Sequence, residues 1–191
     1  MTQLPESQSV LDLSELQQGL PAITPAFGSA LAEAGAVCLS EQGHQPSVAL
    51  EVEGSFSGAF VLLWPQVTEQ MRRCWNDQDY TTEQGAYSVA LLLIQRITSF
   101  TVVERSRRGT GFDYWLGNLS DSADMPFEKS ARLEVSGIRR GDSPAGTVPE
   151  RRQVRARVTL KEAQVQAVDS LSPAYIAVIE FSQPLAWVVE Q

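Results

Sequence analysis

Residues 81–97, TTEQGAYSVALLLIQRI, decide how the rest of the chain is parsed. Ala86, Val89, Ala90, Leu93 and Ile97 fall on one helical face, and Leu91, Leu92 and Ile94 make the other faces apolar too. A helix that is hydrophobic nearly all round has no face to give to water, so it belongs in the interior. Thr81 and Gln84 stand at capping-box spacing and mark its expected start. Outward from this helix, strand-like runs are predicted over 101–105, 112–116 and 131–138, with Gly109, Gly111 and Gly117 at the connections. A polar Gly/Pro loop over 141–149 follows, the best candidate for a mobile segment, then a helix over 150–168. Strands at 174–181 and 185–189 close the chain. The order from Thr81 is α-β-β-β-α-β, which implies an α/β fold with a mixed sheet flanked by helices.

Before Thr81 the pattern is different. Short helices are predicted at 14–20 and 26–39, the second leaving at Gly43. Val48, Leu50 and Val52 alternate with Glu51 and Glu53 as one strand of a hairpin, and 59–64 returns as the other. A further helix is expected from Pro65 to about Trp75. The expected organisation is therefore an N-terminal helical and hairpin extension, 1–80, packed on a core, 81–191.

The 191 residues are 43% hydrophobic and 20% charged, enough apolar material for a core and too much for a disordered chain. The longest apolar run, Val89 to Ile94, is far below the roughly 20 residues that cross a bilayer. MTQLPESQSV shows no basic or apolar leader region, so the expected location is the cytoplasm, with no membrane partner. Cys38 and Cys74 make neither a disulfide framework nor a metal spacing, and both are expected to be buried thiols. His44, the only histidine, lies in a Gly/Pro loop, which makes a Ser-His-Asp triad improbable. Net charge is −8, and residues 1–80 carry all of it, with ten acids against Arg72 and Arg73. Residues 81–191 balance thirteen acids with thirteen bases, so nucleic acid could approach that part alone.

Three carboxylates occupy suggestive positions. Asp113 lies in GTGFDYWLG, with Phe112 and Tyr114 on the opposite side of its strand. Glu134 lies in ARLEVSG, where period two puts it on one side with Ser136. Glu83 opens the buried helix, on the face of Ala86 and Ala90. Acids converging from two strands and a helix end suit a hard cation such as Mg²⁺, held through oxygen. Each also has a plain structural reading. Glu83 suits the first turn of any helix, and Asp113 and Glu134 suit the wet side of half-buried strands.

In these residues and their element order the chain resembles the PD-(D/E)XK, or restriction-endonuclease-like, superfamily, from Glu83 to about Phe181. The family's helix Glu, strand Asp and (D/E)XK triplet match Glu83, Asp113 and Glu134-Val135-Ser136. The resemblance implies a restriction-endonuclease-like core with a Mg²⁺ site, Mn²⁺ also serving, at Glu83, Asp113 and Glu134. It implies a phosphodiester-cleaving activity on DNA or RNA, in a bacterial restriction or defence system. Ser136 stands where the family has a catalytic lysine, and Lys161 or Lys129 is the candidate substitute. Arg151, Arg152, Arg155, Arg157 and Lys161 crowd the helix that flanks the family's site, and Gln164 resembles a glutamine found there in some branches. Arg107, Arg108, Arg139, Arg151 and Arg155 are the expected nucleic-acid contacts. A chain of this size is expected to act as a homodimer or as the subunit of a partner protein. The competing reading is a catalytically degenerate, acidic interaction scaffold or immunity-like protein built on the same fold.

Overall fold

The computed structural model describes residues 2–3, 9–118, 129–140, 150–166 and 172–191. Two short strands open the chain, β1 (Thr2–Gln3) and β2 (Ser9–Asp12). A 3₁₀ helix (Leu13–Gln18) follows, capped by the Asp12 carboxylate and stopped at Gly19, whose φ of 79° is disfavoured for other residues. Next come α1 (Pro25–Glu41), the hairpin β3 (Val48–Gly54) and β4 (Phe56–Leu63), and the short α2 (Glu69–Cys74). The buried helix is α3 (Gln78–Ile97), and three strands succeed it: β5 (Phe100–Arg105), β6 (Tyr114–Asn118) and β7 (Ala131–Ile138). Helix α4 (Glu150–Gln166) and strands β8 (Ala174–Glu180) and β9 (Leu185–Glu190) complete the order.

Among the described residues the strands form one mixed nine-stranded sheet in the order β1-β4-β3-β9-β8-β7-β6-β5, with β2 also on β4. β5, β6 and β7 run antiparallel, β7 and β8 parallel, and β8 and β9 antiparallel. The N-terminal hairpin joins this sheet through a parallel β3–β9 pairing, Glu51 opposite Leu185. Helices α1 and α3 cover one face over a core that includes Leu31, Leu91, Leu93, Tyr114 and Leu133. Helix α4 covers the other face through Val154, Val158 and Val165, which meet Ile176 and Val178. The helices α1 and α3 approach closely because glycines stand at their crossing. A Cβ on Gly35 would lie 2.3 Å from Ser88 Oγ, and one on Gly85 would lie 3.0 Å from Cys38 Sγ.

Several boundaries differ from the sequence expectation. The helix start expected at Thr81 falls at Gln78, because the Asp77 carboxylate accepts from Tyr80 N and caps the turn first. Thr81 and Gln84 are then buried inside the helix, and the Thr81 hydroxyl reaches the Trp75 and Asp77 carbonyls at 3.0 and 2.6 Å. The helix expected from Pro65 is confined to Glu69–Cys74, capped by Thr68. Asp113 stands one residue before β6 rather than within a strand. Cys38 is buried as expected and its thiol is pushed up to about 12, chiefly by burial, but Cys74 is exposed on the short α2. The expected loop over 141–149 lies outside the described residues, as does the side chain of Gln164. Among the described residues, no helix is long and apolar enough to cross a membrane.

Candidate functional site

Strand β7 carries the centre of the site. Its alternation sends Ala131, Leu133 and Val135 into the core under α3, leaving Arg132, Glu134 and Ser136 on the α4 side. Helix α4 connects the parallel strands β7 and β8, so it runs back against them. Four helical residues rise about 6 Å and two strand residues about 6.6 Å, so polar pairs between the two elements stay in step. Lys161 Nζ donates to Glu134 Oε1 at 2.5 Å, and one turn earlier Arg157 Nη1 donates to Ser136 Oγ at 3.3 Å.

Asp113 reaches the same place from the entrance of β6. Its Oδ2 accepts from Val135 N at 2.8 Å, and its Oδ1 accepts from the Tyr87 hydroxyl at 2.8 Å. Tyr87 also stands 3.4 Å from Glu83 Oε1, one helical turn before it on α3. Gly137 lets this end of α3 come so near, since a Cβ there would lie 2.6 Å from the Thr82 carbonyl oxygen. Glu83, Tyr87, Asp113, Glu134 and Lys161 thus form one row, and all five line both of two adjoining clefts of about 870 and 810 Å³.

The electrostatics of the row are set by two neighbouring acids, Glu134 buried and Asp113 half-buried. Glu134 is 3% exposed, and its carboxyl is pushed up from 4.5 to about 7, first by burial and then by the charge of Asp113. The Lys161 ammonium works against both. Burial and the same Asp113 charge push the Tyr87 phenol well above its usual range, which keeps it a proton donor. The donor chemistry suits a hard cation. A carboxylate has about four acceptor sites, so an Asp113 oxygen that accepts one hydrogen bond keeps another for metal, and a cation would relieve the Asp113–Glu134 repulsion. Glu83 faces the Tyr87 phenol. Among the described residues, no three Asp, Glu, His or Cys side chains are drawn together into a metal-holding group.

The other expected residues divide between the clefts and elsewhere. Arg107 and Arg108 line the cleft beyond Asp113. Arg139 lines the cleft on the α4 side, paired with Glu41 on α1. Arg151 and Arg155 line neither cleft. Arg151 pairs with Glu51 and Glu53 on the hairpin, and the Arg155 guanidinium lies 4.8 Å from the Trp187 ring centroid. Lys129 is paired with Glu104, so of the two candidate lysines it is Lys161 that meets the acids. Two residues at the centre were not among the expected site residues: Tyr87, which the sequence reading passed over, and Arg157, which it named only among the bases of its helix. Tyr87 follows Glu83 by four, the spacing that places two side chains on one helical face. Arg157 precedes Lys161 by four, and the same rule identifies it. Compared with known protein families, curated proteins and solved structures, the chain matches none.

Proposed function

We propose that the protein is a metal-dependent phosphodiesterase acting on nucleic acid, with Asp113 and Glu134 as the metal-holding pair and Glu83 as the third acid. The observation that carries this reading is the meeting of two close carboxylates with Lys161 where two clefts join, with arginines along both clefts. A bound Mg²⁺ or Mn²⁺ supplies Lewis acidity toward the phosphoryl oxygens and lowers the pKa of a bound water. The chain's own residues do the rest. Tyr87 and the Val135 amide fix both oxygens of Asp113, so its orientation is set before any ligand arrives. Lys161 holds positive charge beside Glu134, where negative charge develops on the phosphoryl group during hydrolysis. Ser136, beside them, accepts from Arg157 and adds a hydroxyl to the wall. The likeness to the PD-(D/E)XK superfamily supports the same reading and extends it to a restriction or defence role, with a second copy or a partner protein.

The competing reading is the degenerate scaffold. What favours it is that Asp113 and Glu134 already bond to donors of their own chain. Calorimetric titration with Mg²⁺ and Mn²⁺, with a non-cleavable oligonucleotide present, separates the two. We expect millimolar or tighter binding by the wild type, lost in both Asp113→Ala and Glu134→Ala, and metal-dependent cleavage of DNA or RNA that is lost with it. Absence of metal binding even with the oligonucleotide overturns the proposal in favour of the scaffold.

A further inference from the structure

Four cations line the cleft on the α4 side: Arg139, Arg140, Arg157 and Lys161. Two are neutralised within the fold, Arg139 by Glu41 and Lys161 by Glu134. Among the described residues Arg140 and Arg157 have no acid partner, in a chain whose net charge is −8. Elsewhere on the surface Arg96 pairs with Glu15, and Arg151 with Glu51 and Glu53; what sets Arg140 and Arg157 apart is that they line the cleft beside the acid row. Arg157 is instead steadied by a neutral group, its Nη1 donating to the Ser136 hydroxyl. That contact uses one donor of a five-donor planar fork and leaves the others for a ligand.

We propose that Arg157 and Arg140 form a binding subsite for a phosphate group, with Ser136 as its polar wall. Its place in catalysis rests on the proposed function above, but its binding of phosphate needs no metal. A guanidinium is always charged and offers two parallel N–H groups to two oxygens of one phosphate. The Ser136 hydroxyl, while it accepts from Arg157, has its own proton free to point at a phosphate oxygen. Asp113 and Glu134 are neighbours on the same cleft wall, so a phosphate held here stands beside the row.

The test uses the full chain in EDTA at fixed ionic strength, titrated by calorimetry with inorganic phosphate and with a short single-stranded oligonucleotide. Wild-type protein is compared with Arg157→Met, Arg157→Lys, Arg140→Met and Arg152→Met, the last an exposed arginine of α4 that lines neither cleft. We expect Arg157→Met to weaken phosphate binding about ten-fold, the loss of one charge-assisted contact. Arg157→Lys should recover part of it, Arg140→Met should weaken binding less, and Arg152→Met should leave it unchanged. An oligonucleotide that shows the same dependence on Arg157 identifies the phosphate as that of a backbone. Dependence with inorganic phosphate alone identifies a small phosphate ester. No saturable binding by the wild type, or equal loss in Arg152→Met, overturns the subsite. Phosphate binding in a protein that fails the metal titration leaves the subsite standing and overturns the metal reading instead.

Discussion

Glu134 and Glu180 lie on the neighbouring parallel strands β7 and β8, and both are buried, at 3% and 1% exposed. Their surroundings are opposite. Glu180 closes the turn into β9, where it accepts from Ser182 N at 2.9 Å, Ser182 Oγ at 2.5 Å and Gln183 N at 2.7 Å. Those donors stand within three residues of it, so the chain that buries the charge also solvates it. Glu134 has the Lys161 ammonium but must share its space with Asp113, and burial first, then the Asp113 charge, pushes its carboxyl up to about 7. At Glu180 the fold meets a buried carboxylate with donors from its own turn. At Glu134 burial and the Asp113 charge act together, and such perturbed groups cluster where chemistry is done.

The largest effect that would break this contrast is at Glu180. Removing its carboxylate in Glu180→Ala leaves the Ser182 and Gln183 amides without their acceptor, and we expect a loss of about 3 kcal/mol in urea unfolding. A neutral result would mean that the turn is not held by this acid. Next is Gly137→Ala, whose Cβ must displace the Thr82 backbone. About 2 kcal/mol of overpacking is expected, together with weaker metal binding as Glu83 moves off the row. Unchanged metal affinity would detach Glu83 from the site.

At Glu134 the sign should reverse. Glu134→Gln removes the like charge beside Asp113, and stability at pH 8 should rise by about 1 kcal/mol while metal binding is lost. The pH dependence sharpens the point. Because the folded carboxyl titrates near 7 instead of 4.5, the native state holds more protons than the unfolded chain between those values. This contribution to stability is full below about 4.5 and is lost as pH rises through about 7. Equilibrium unfolding across that window should show a downward slope that Glu134→Gln abolishes, and a slope shared by the variant would assign it elsewhere. The smallest change expected is in Tyr87→Phe. The buried ring still packs edge-on against Tyr114, while Asp113 loses one donor, about 0.5 kcal/mol. A loss several-fold larger would show the hydroxyl holding more than Asp113.

How far the sequence foretold all this differs from residue to residue. Strand alternation alone puts Glu134 and Ser136 on one side, and the apolar run of α3 marks it as interior; both are local patterns with one solution. The face of Glu83 was read through Ala86 and Ala90, where the i+4 partner Tyr87 is the one that reaches Asp113. Thr81 and Gln84 satisfy a capping spacing, but Asp77 offers the same chemistry earlier, in a stretch with no apolar period to arbitrate. The pairing of Arg151 with the hairpin acids follows from β3 lying beside β9, and contact between such distant segments leaves no mark on either sequence. Five bases on α4 look alike in one dimension; only the packed helix separates Arg157 and Lys161, which face the cleft, from Arg151 and Arg155, which do not.

The β3–β9 pairing also bears on how the molecule is made. During synthesis Glu51 leaves the ribosome long before its neighbour Leu185 exists, so the hairpin must wait with one hydrogen-bonding edge unfilled. Such an edge invites pairing with another nascent chain. Edge strands are often guarded by charge, and β3 carries Glu51 and Glu53. The acids that end as ion-pair partners of Arg151 are therefore well placed to keep nascent hairpins apart until β9 arrives.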